Sequence, residues 1–299
     1  MDRFDINFYK KSCYYLLNYR FLSKFLPELF AVNFDLKKSL SLNFSDEKEY
    51  SENMTQVLAF SKKSKLFLKE FIAKDSKEHK VLLSKERIDY DESIIEQNQK
   101  NIFSYPDCCM RNMYEKLAPI SDIQITGKRY LVKNVQEDSF DFVMNPFLDL
   151  TPFHLYSHQP CSLDCKNTKD YSKELLKIIE KYNKDYHDDL VCFLKNPVFY
   201  TDILGQAIIF EGKYSYLNDT QSIEYGSFFS QVNIEDINLK SKSGYSEENI
   251  VLFEKILDLL RQSRKISLIN NQLMFFLKNG TEFQLKKPDV LNWKFLDFI

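Results

Sequence analysis

Four of the six cysteines in this 299-residue chain lie in two short segments. Cys108-Cys109 comes first, then a gap of 51 residues, then Cys161-x-x-x-Cys165 with His158 three residues ahead. Thiolates and neutral imidazoles are metal ligands, and paired cysteines also do redox chemistry, so this density points to a metal or redox centre. Tyr105-Pro106-Asp107 opens a predicted helix over 108–117: Pro106 suits the first turn and Asp107 complements the positive helix end. Both thiols then fall in that first turn, where backbone N–H groups favour the thiolate. Successive helical residues diverge by about 100°, so one small ion takes both only with distortion, whereas a cluster of several metal atoms accepts the spread. In the second segment Pro160 breaks any preceding helix, and Asn167 or Thr168 is the expected N-cap of the next. Cys161 and Cys165 are thereby placed on a turn leading into a helix.

The two segments, Tyr-Pro-x-Cys-Cys and His-x-Pro-Cys-Ser-x-x-Cys, resemble the signature of an uncharacterised archaeal and bacterial family over residues 100–215. That family carries Gly where this chain has Ser104, and it supplies no activity to transfer. The tandem cysteine also resembles iron–sulfur proteins: the cluster-bearing quinone-site subunit of respiratory complex I and the Cys-Cys-Gly domains of heterodisulfide reductases. Met110 stands here in place of the Gly of the latter.

These observations lead to an iron–sulfur cluster, of the 4Fe–4S kind, on Cys108, Cys109, Cys161 and Cys165, for electron transfer with a redox partner protein or for an uncharacterised redox reaction. A zinc-stabilised interaction module and a thiol-based redox enzyme are the alternatives. His158 is a fifth ligand, a hydrogen-bonding neighbour of a ligand, or a turn residue, and it could form a dyad with Cys108 or Cys109. With Arg111 and Asp164 it makes up the polar groups that could line a catalytic pocket. Cys13 and Cys192 sit in apolar runs and are expected as small core residues. His187-Asp188-Asp189 reads as an exposed helix cap, and Pro152 and Pro160 keep His154 and His158 off one continuous helix.

The net charge of −2 makes no case for nucleic acid. Lys62-Lys63-Ser64-Lys65 reads as a solvated helix face. No stretch approaches the ~18 apolar residues of a membrane span, and the N-terminal stretch reads as no signal peptide, so a cytoplasmic protein without a membrane partner is expected. Six glycines, at 127, 205, 212, 226, 244 and 280, are too scattered for a dinucleotide or Walker loop.

The expected fold is α+β: a helical N-terminal region, central cysteine-bearing helices and an antiparallel β-rich C-terminal part. The divisions are 1–100, 101–230 and 231–299. Residues 4–30 read as a helix interrupted at Pro27, 45–53 as a polar link, 57–60 and 81–83 as strands, and 64–73 as a helix. Residues 123–125 and 129–132 read as strands about a turn at Gly127. Tyr171, Leu175, Ile178, Ile179 and Tyr182 mark an amphipathic helix. Strands at 198–201, 206–210 and 213–217, with a turn at Glu211-Gly212, precede a helix from Ser246. A three-stranded meander over 265–285 turns at Asn270-Asn271 and Asn279-Gly280, and the apolar end at 291–296 docks on the core.

Overall fold

A computed structural model describes residues 21–44, 46–72, 79–87, 102–117, 123–133, 135, 139–148, 153–203, 206–230, 247–288 and 293–299. Cys13, Ser246 and the first part of the expected N-terminal helix lie outside them. The described helices are α1 (Leu26–Asn33), α2 (Glu47–Ser64), α3 (Asp107–Asn112), α4 (Ile123–Lys133), α5 (Lys166–Tyr182), α6 (Lys184–Leu194) and α7 (Glu247–Gln262). The strands of the small sheet are β1 (Ser39–Phe44), β2 (Phe67–Ile72) and β3 (His79–Ser84), in the order β1-β3-β2. The large sheet is built from β4 (Ser139–Phe140), β5 (Val198–Thr201), β6 (Gln206–Leu217), β7 (Thr220–Ser230), β8 (Ser263–Ile269), β9 (Gln272–Leu277), β10 (Glu282–Lys286) and β11 (Trp293–Phe298). Its order is β10-β9-β8-β7-β6-β5-β11-β4, antiparallel except for the β11–β4 edge. The fold is α+β, and no helix among the described residues is long and apolar enough to cross a membrane.

The large sheet separates two cores, because successive side chains of a strand point to opposite faces. Val198 and Tyr200 of β5, with Leu296 and Phe298 of β11, join the core that contains α1, α5, α6 and the cysteine segments. Phe199 of β5, with Trp293 and Phe295 of β11, joins a second core closed by Phe253, Ile256, Leu257 and Leu260 of α7. The apolar chain end therefore docks as an interior strand, hydrogen-bonded to β5 on one side and β4 on the other.

Several expected elements change type. Pro27 lies in the first turn of α1, directly after a 3-10 turn over Leu22–Phe25, so among the described residues it starts a helix. The expected polar link, from Glu47 on, and the expected strand over 57–60 belong to one helix, α2. Asp46 caps it by accepting from the Glu49 N–H at 2.8 Å, and Met54, Val57 and Phe60 recur at helical spacing on its buried face. Lys65, left-handed at φ +55, ends α2, and the next segment forms strand β2 where a helix was expected. The two strands expected around Gly127 are the single helix α4. A Cβ on Gly127 would stand 2.7 Å from Cδ and Oε1 of Gln159, so the glycine serves close packing and makes no turn. Glu211-Gly212 is a register shift inside the 12-residue β6, where a Cβ would meet the Glu224 carbonyl oxygen at 2.2 Å. The meander over β8, β9 and β10 is present, with Asn270 and Asn271 at φ +47 and +61, the paired left-handed residues of a tight hairpin.

Candidate metal centre

Cys108 and Cys109 occupy the first turn of α3. Pro106 stands at its N-cap (φ −62°, ψ 137°), one step outside the position expected for it. The Pro106 carbonyl accepts from the N–H groups of Cys109 and Met110 at 3.0 Å each, which fixes the start of the turn. Just before it Ser104 takes φ +56, a conformation glycine adopts without strain. The predicted helix over 108–117 divides into α3 and a wider π-helical turn, Met113–Leu117.

On the other side Cys165 is the N-cap of α5, displacing the expected Asn167 or Thr168. Its N–H donates to the Ser162 carbonyl at 3.2 Å, and its carbonyl accepts from the Lys169 N–H at 2.9 Å. Thr168, freed from capping, turns its hydroxyl back toward the sulfurs. Leu175 and Ile179, the buried centre of the expected stripe, anchor α5 in the core, although Tyr182 at its end is exposed.

The four thiols meet. Sγ–Sγ separations are 3.8 Å for Cys108–Cys109, 3.6 Å for Cys108–Cys165 and 3.5 Å for Cys109–Cys165, and all four sulfurs lie within 4.8 Å of one another. No disulfide joins them. The helical divergence of a tandem pair is thus overcome: both sulfurs of Cys108-Cys109 contact Cys165. Four cysteines at this spacing are compatible with metal binding.

Polar contacts surround the sulfurs. The Thr168 hydroxyl lies 3.4 Å from both Cys109 Sγ and Cys165 Sγ, and the Asn167 amide donates to Cys108 Sγ at 3.4 Å. Burial would raise the Cys165 thiol, but hydrogen bonds from the Thr168 side chain and backbone and from Cys109 and Cys161 bring it down to about 7. Burial first, then the neighbouring sulfurs, push Cys161 up to about 11, and burial drives Cys109 upward as well. One thiolate forms readily and its neighbours resist, which is the expected behaviour of crowded like charges without a cation. A divalent ion removes that resistance.

His158 is not a member of the sulfur group. Its Nε2 lies 2.9 Å from Thr168 Oγ1, so it stands one hydroxyl away from the thiols, between the rings of Tyr105 and Tyr156. Burial, then the positive charge of Lys37, lower it to about 3, and the ring is neutral near pH 7. Beside it lies an ion pair that spacing does not reveal: Lys37 Nζ donates to Glu28 Oε2 and to Ser157 Oγ, each at 2.9 Å, with side chains 4% and 1% exposed for Lys37 and Glu28. Burial, the largest single influence, opposes both charges, but Lys37 together with His154 and Ser157 holds the Glu28 carboxyl well below its usual range, and Glu28 together with Tyr105 and Tyr171 holds the Lys37 ammonium above its own.

A cavity of about 490 Å³ adjoins the centre, sharing Cys109 with it and bounded by Glu28, Lys37, Lys128, His158 and Gln159. Of the three polar groups expected to line a pocket, His158 does so. Arg111 and Asp164 are exposed and take no part in its wall. Cys192 is exposed on α6, not a core residue as its apolar neighbours implied, because the helix turns them inward and leaves the thiol outside. His187, Asp188 and Asp189 lie inside α6, where an exposed cap was expected: the cap is Asn183, which accepts from the Tyr186 N–H at 3.1 Å, and His187 contacts Asp188 at 2.9 Å within the helix. Four residues of the site, Asn167, Thr168, Glu28 and Lys37, are not marked as functional by residue type and spacing. Asn167 and Thr168 carry a signal only as candidate caps beside the second cysteine pair.

No family model, curated protein or solved structure matches the chain.

Proposed function

We propose that Cys108, Cys109, Cys161 and Cys165 hold a single tetrahedral ion, Zn²⁺, as a structural clasp between α3 and the start of α5. The observation that carries this reading is the sulfur spacing. Four thiolates at about 2.3 Å from one ion stand about 3.8 Å from each other; the three separations among Cys108, Cys109 and Cys165, 3.5, 3.6 and 3.8 Å, lie close to that edge, and Cys161 Sγ is within 4.8 Å of each. A multi-iron cluster places its own iron and sulfide atoms between the thiolates and holds them farther apart. With four protein ligands no coordination position is left for water, the arrangement of a structural zinc and not of a catalytic one. The clasp fixes one wall of the adjoining cavity, which makes the protein a zinc-stabilised binding module.

An iron–sulfur cluster serving electron transfer is the second reading. It is favoured by the contacts of Thr168 and Asn167 with sulfur, which are the kind that tune a cluster's potential. Metal analysis and an absorption spectrum of anaerobically purified protein test both. One equivalent of zinc in a colourless protein, replaced by Co²⁺ to give a tetrahedral thiolate spectrum, is the expected result. Stoichiometric iron with acid-labile sulfide selects the cluster. Metal-free protein with four titratable thiols in this site removes both readings and leaves the thiol enzyme.

A further inference from the structure

We propose that the cysteine centre is a switch operated by hydroperoxides: Cys108 is oxidised, and Cys165 closes a disulfide on it. The loss of the ion that follows rests on the zinc reading above, whereas the disulfide needs only the thiols. The four sulfurs differ in access. Cys108 and Cys161 are half-buried, while Cys109 and Cys165 are 2% and 5% exposed. A sensor cysteine needs an accessible sulfur with a second thiol poised to resolve it. Cys108 meets both conditions, since its Sγ lies 3.6 Å from Cys165 Sγ. The exposed Asn167 donates its amide to Cys108 Sγ at 3.4 Å and steadies that sulfur on the solvent side. Cys109 is a poor partner for Cys108 despite a sulfur separation of 3.8 Å. Consecutive Cα atoms stand about 3.8 Å apart, and a disulfide spans about 4.4–6.8 Å between its Cα atoms. Cys165 reaches Cys108 from the other segment and carries no such constraint.

Both sulfurs react as thiolates, the form in which they also ligate. Cys108 Sγ attacks the outer oxygen of the hydroperoxide, the O–O bond breaks, and the sulfur becomes a sulfenic acid. The peroxide leaves as an alcohol, or as water where it is hydrogen peroxide, after taking a proton from solvent. Cys165 Sγ then attacks Cys108 Sγ, the S–O bond breaks, and hydroxide leaves as water with a second proton. The sulfur pair gives up two electrons, and the O–O bond accepts them. Cys109 and Cys161 are then the only thiolates left, too few to fill the positions of a tetrahedral site. The new bond ties α3 to the start of α5 where the four thiols met. A thiol reductant reverses the change by exchange, leaving its own sulfurs oxidised.

The test treats the full-length chain, purified anaerobically and supplied with zinc, with stoichiometric hydrogen peroxide. Metal content is assayed before the oxidant is added. Zinc release is followed with a chromogenic chelator, and the thiols are alkylated at once and mapped by mass spectrometry without reduction. The expected result is zinc release with the loss of two thiols per ion, joined as Cys108–Cys165, and recovery of both on adding dithiothreitol and zinc. Cys192→Ser removes the exposed thiol of α6 and should release zinc as the wild type does. Three results overturn the proposal: zinc retained while Cys192 is oxidised, a disulfide joining any other pair, or release that stops in Cys192→Ser. A chain that takes up no zinc at the outset overturns the clasp instead. A Cys108–Cys165 bond formed in that metal-free chain still supports the switch, and its absence there overturns the switch as well.

Discussion

On one face of the large sheet, α7 closes a core whose contacts are almost all apolar: Phe253, Ile256, Ile266, Phe275 and Phe295 are at most 1% exposed. On the other face, α1, α5 and the cysteine segments also bury apolar residues. Set into that core are four thiols, the Glu28–Lys37 pair and His158. Apolar burial works at any ordinary pH and needs no ligand. Thiols, a carboxylate and an ammonium packed out of water are stable only while each keeps its partner. The α7 face should therefore be stable unconditionally, and the cysteine face only while its charges and the proposed metal are in place.

Cys165→Ser should break this contrast most severely. Cys165 contacts the sulfurs of Cys108 and Cys109 from the start of α5, so its loss should release the proposed metal. In small zinc modules binding of the ion is worth on the order of 10 kcal/mol of folding free energy. Hydrogen exchange should quicken over 102–117 and 153–168 and stay unchanged over 263–298. Uniform acceleration of both faces would show that the sheet transmits the loss and that the two faces do not differ in this way.

Charge and packing can be compared at similar size. Glu28→Ala leaves Lys37 buried without its partner and should destabilise the protein by about 3–5 kcal/mol. The double change Glu28→Met with Lys37→Met should recover most of that, since replacing both members of a buried pair by apolar residues is often neutral. Phe275→Ala opens a cavity under α7 and should also cost about 3–5 kcal/mol. No second change repairs that loss by removing a partner. Urea denaturation of the four proteins, with metal content assayed, separates the two mechanisms. A double variant as unstable as Glu28→Ala would mean that the pair contributes net stability.

The cysteine group is legible in the sequence because four thiols seldom fall by chance into two short segments of a chain this size. The meander is legible because Asn-Asn and Asn-Gly accept the left-handed angles a hairpin needs. Residues 45–73 are not. Val57 and Phe60 fit part of a strand or, with Met54, a helical stripe, and what decides is the Asp46 cap together with pairing to β3, which is formed by residues farther along the chain. The tandem thiols lie closer than their diverging Cα–Cβ directions imply. Side-chain rotation, a helix of six residues and the approach of Cys165 from α5 close the gap. Glu28 and Lys37 leave no trace, because a helix residue and a loop residue nine positions apart form a pair only once tertiary packing excludes water from both.

The smallest expected effect sharpens the comparison by acid. His158 faces Lys37, Glu28, Tyr105, Tyr156 and Thr168, and burial followed by the Lys37 charge takes it from its ordinary 6.5 to about 3. Between those values the unfolded chain binds a proton that the folded chain refuses. Stability from this group is complete above pH 6.5 and declines as pH falls toward 3. At about pH 5 the loss is at most roughly 2 kcal/mol, from about 1.4 kcal/mol per pH unit over one and a half units. His158→Gln keeps an amide donor for Thr168 but cannot titrate, so the difference in stability between wild type and variant should shrink or reverse between pH 7 and pH 5. Thiolate protonation, which also loosens the metal in acid, is common to both proteins and cancels in that difference. Parallel stability curves over this range would place the acid sensitivity of the cysteine face in the thiols and Glu28 alone.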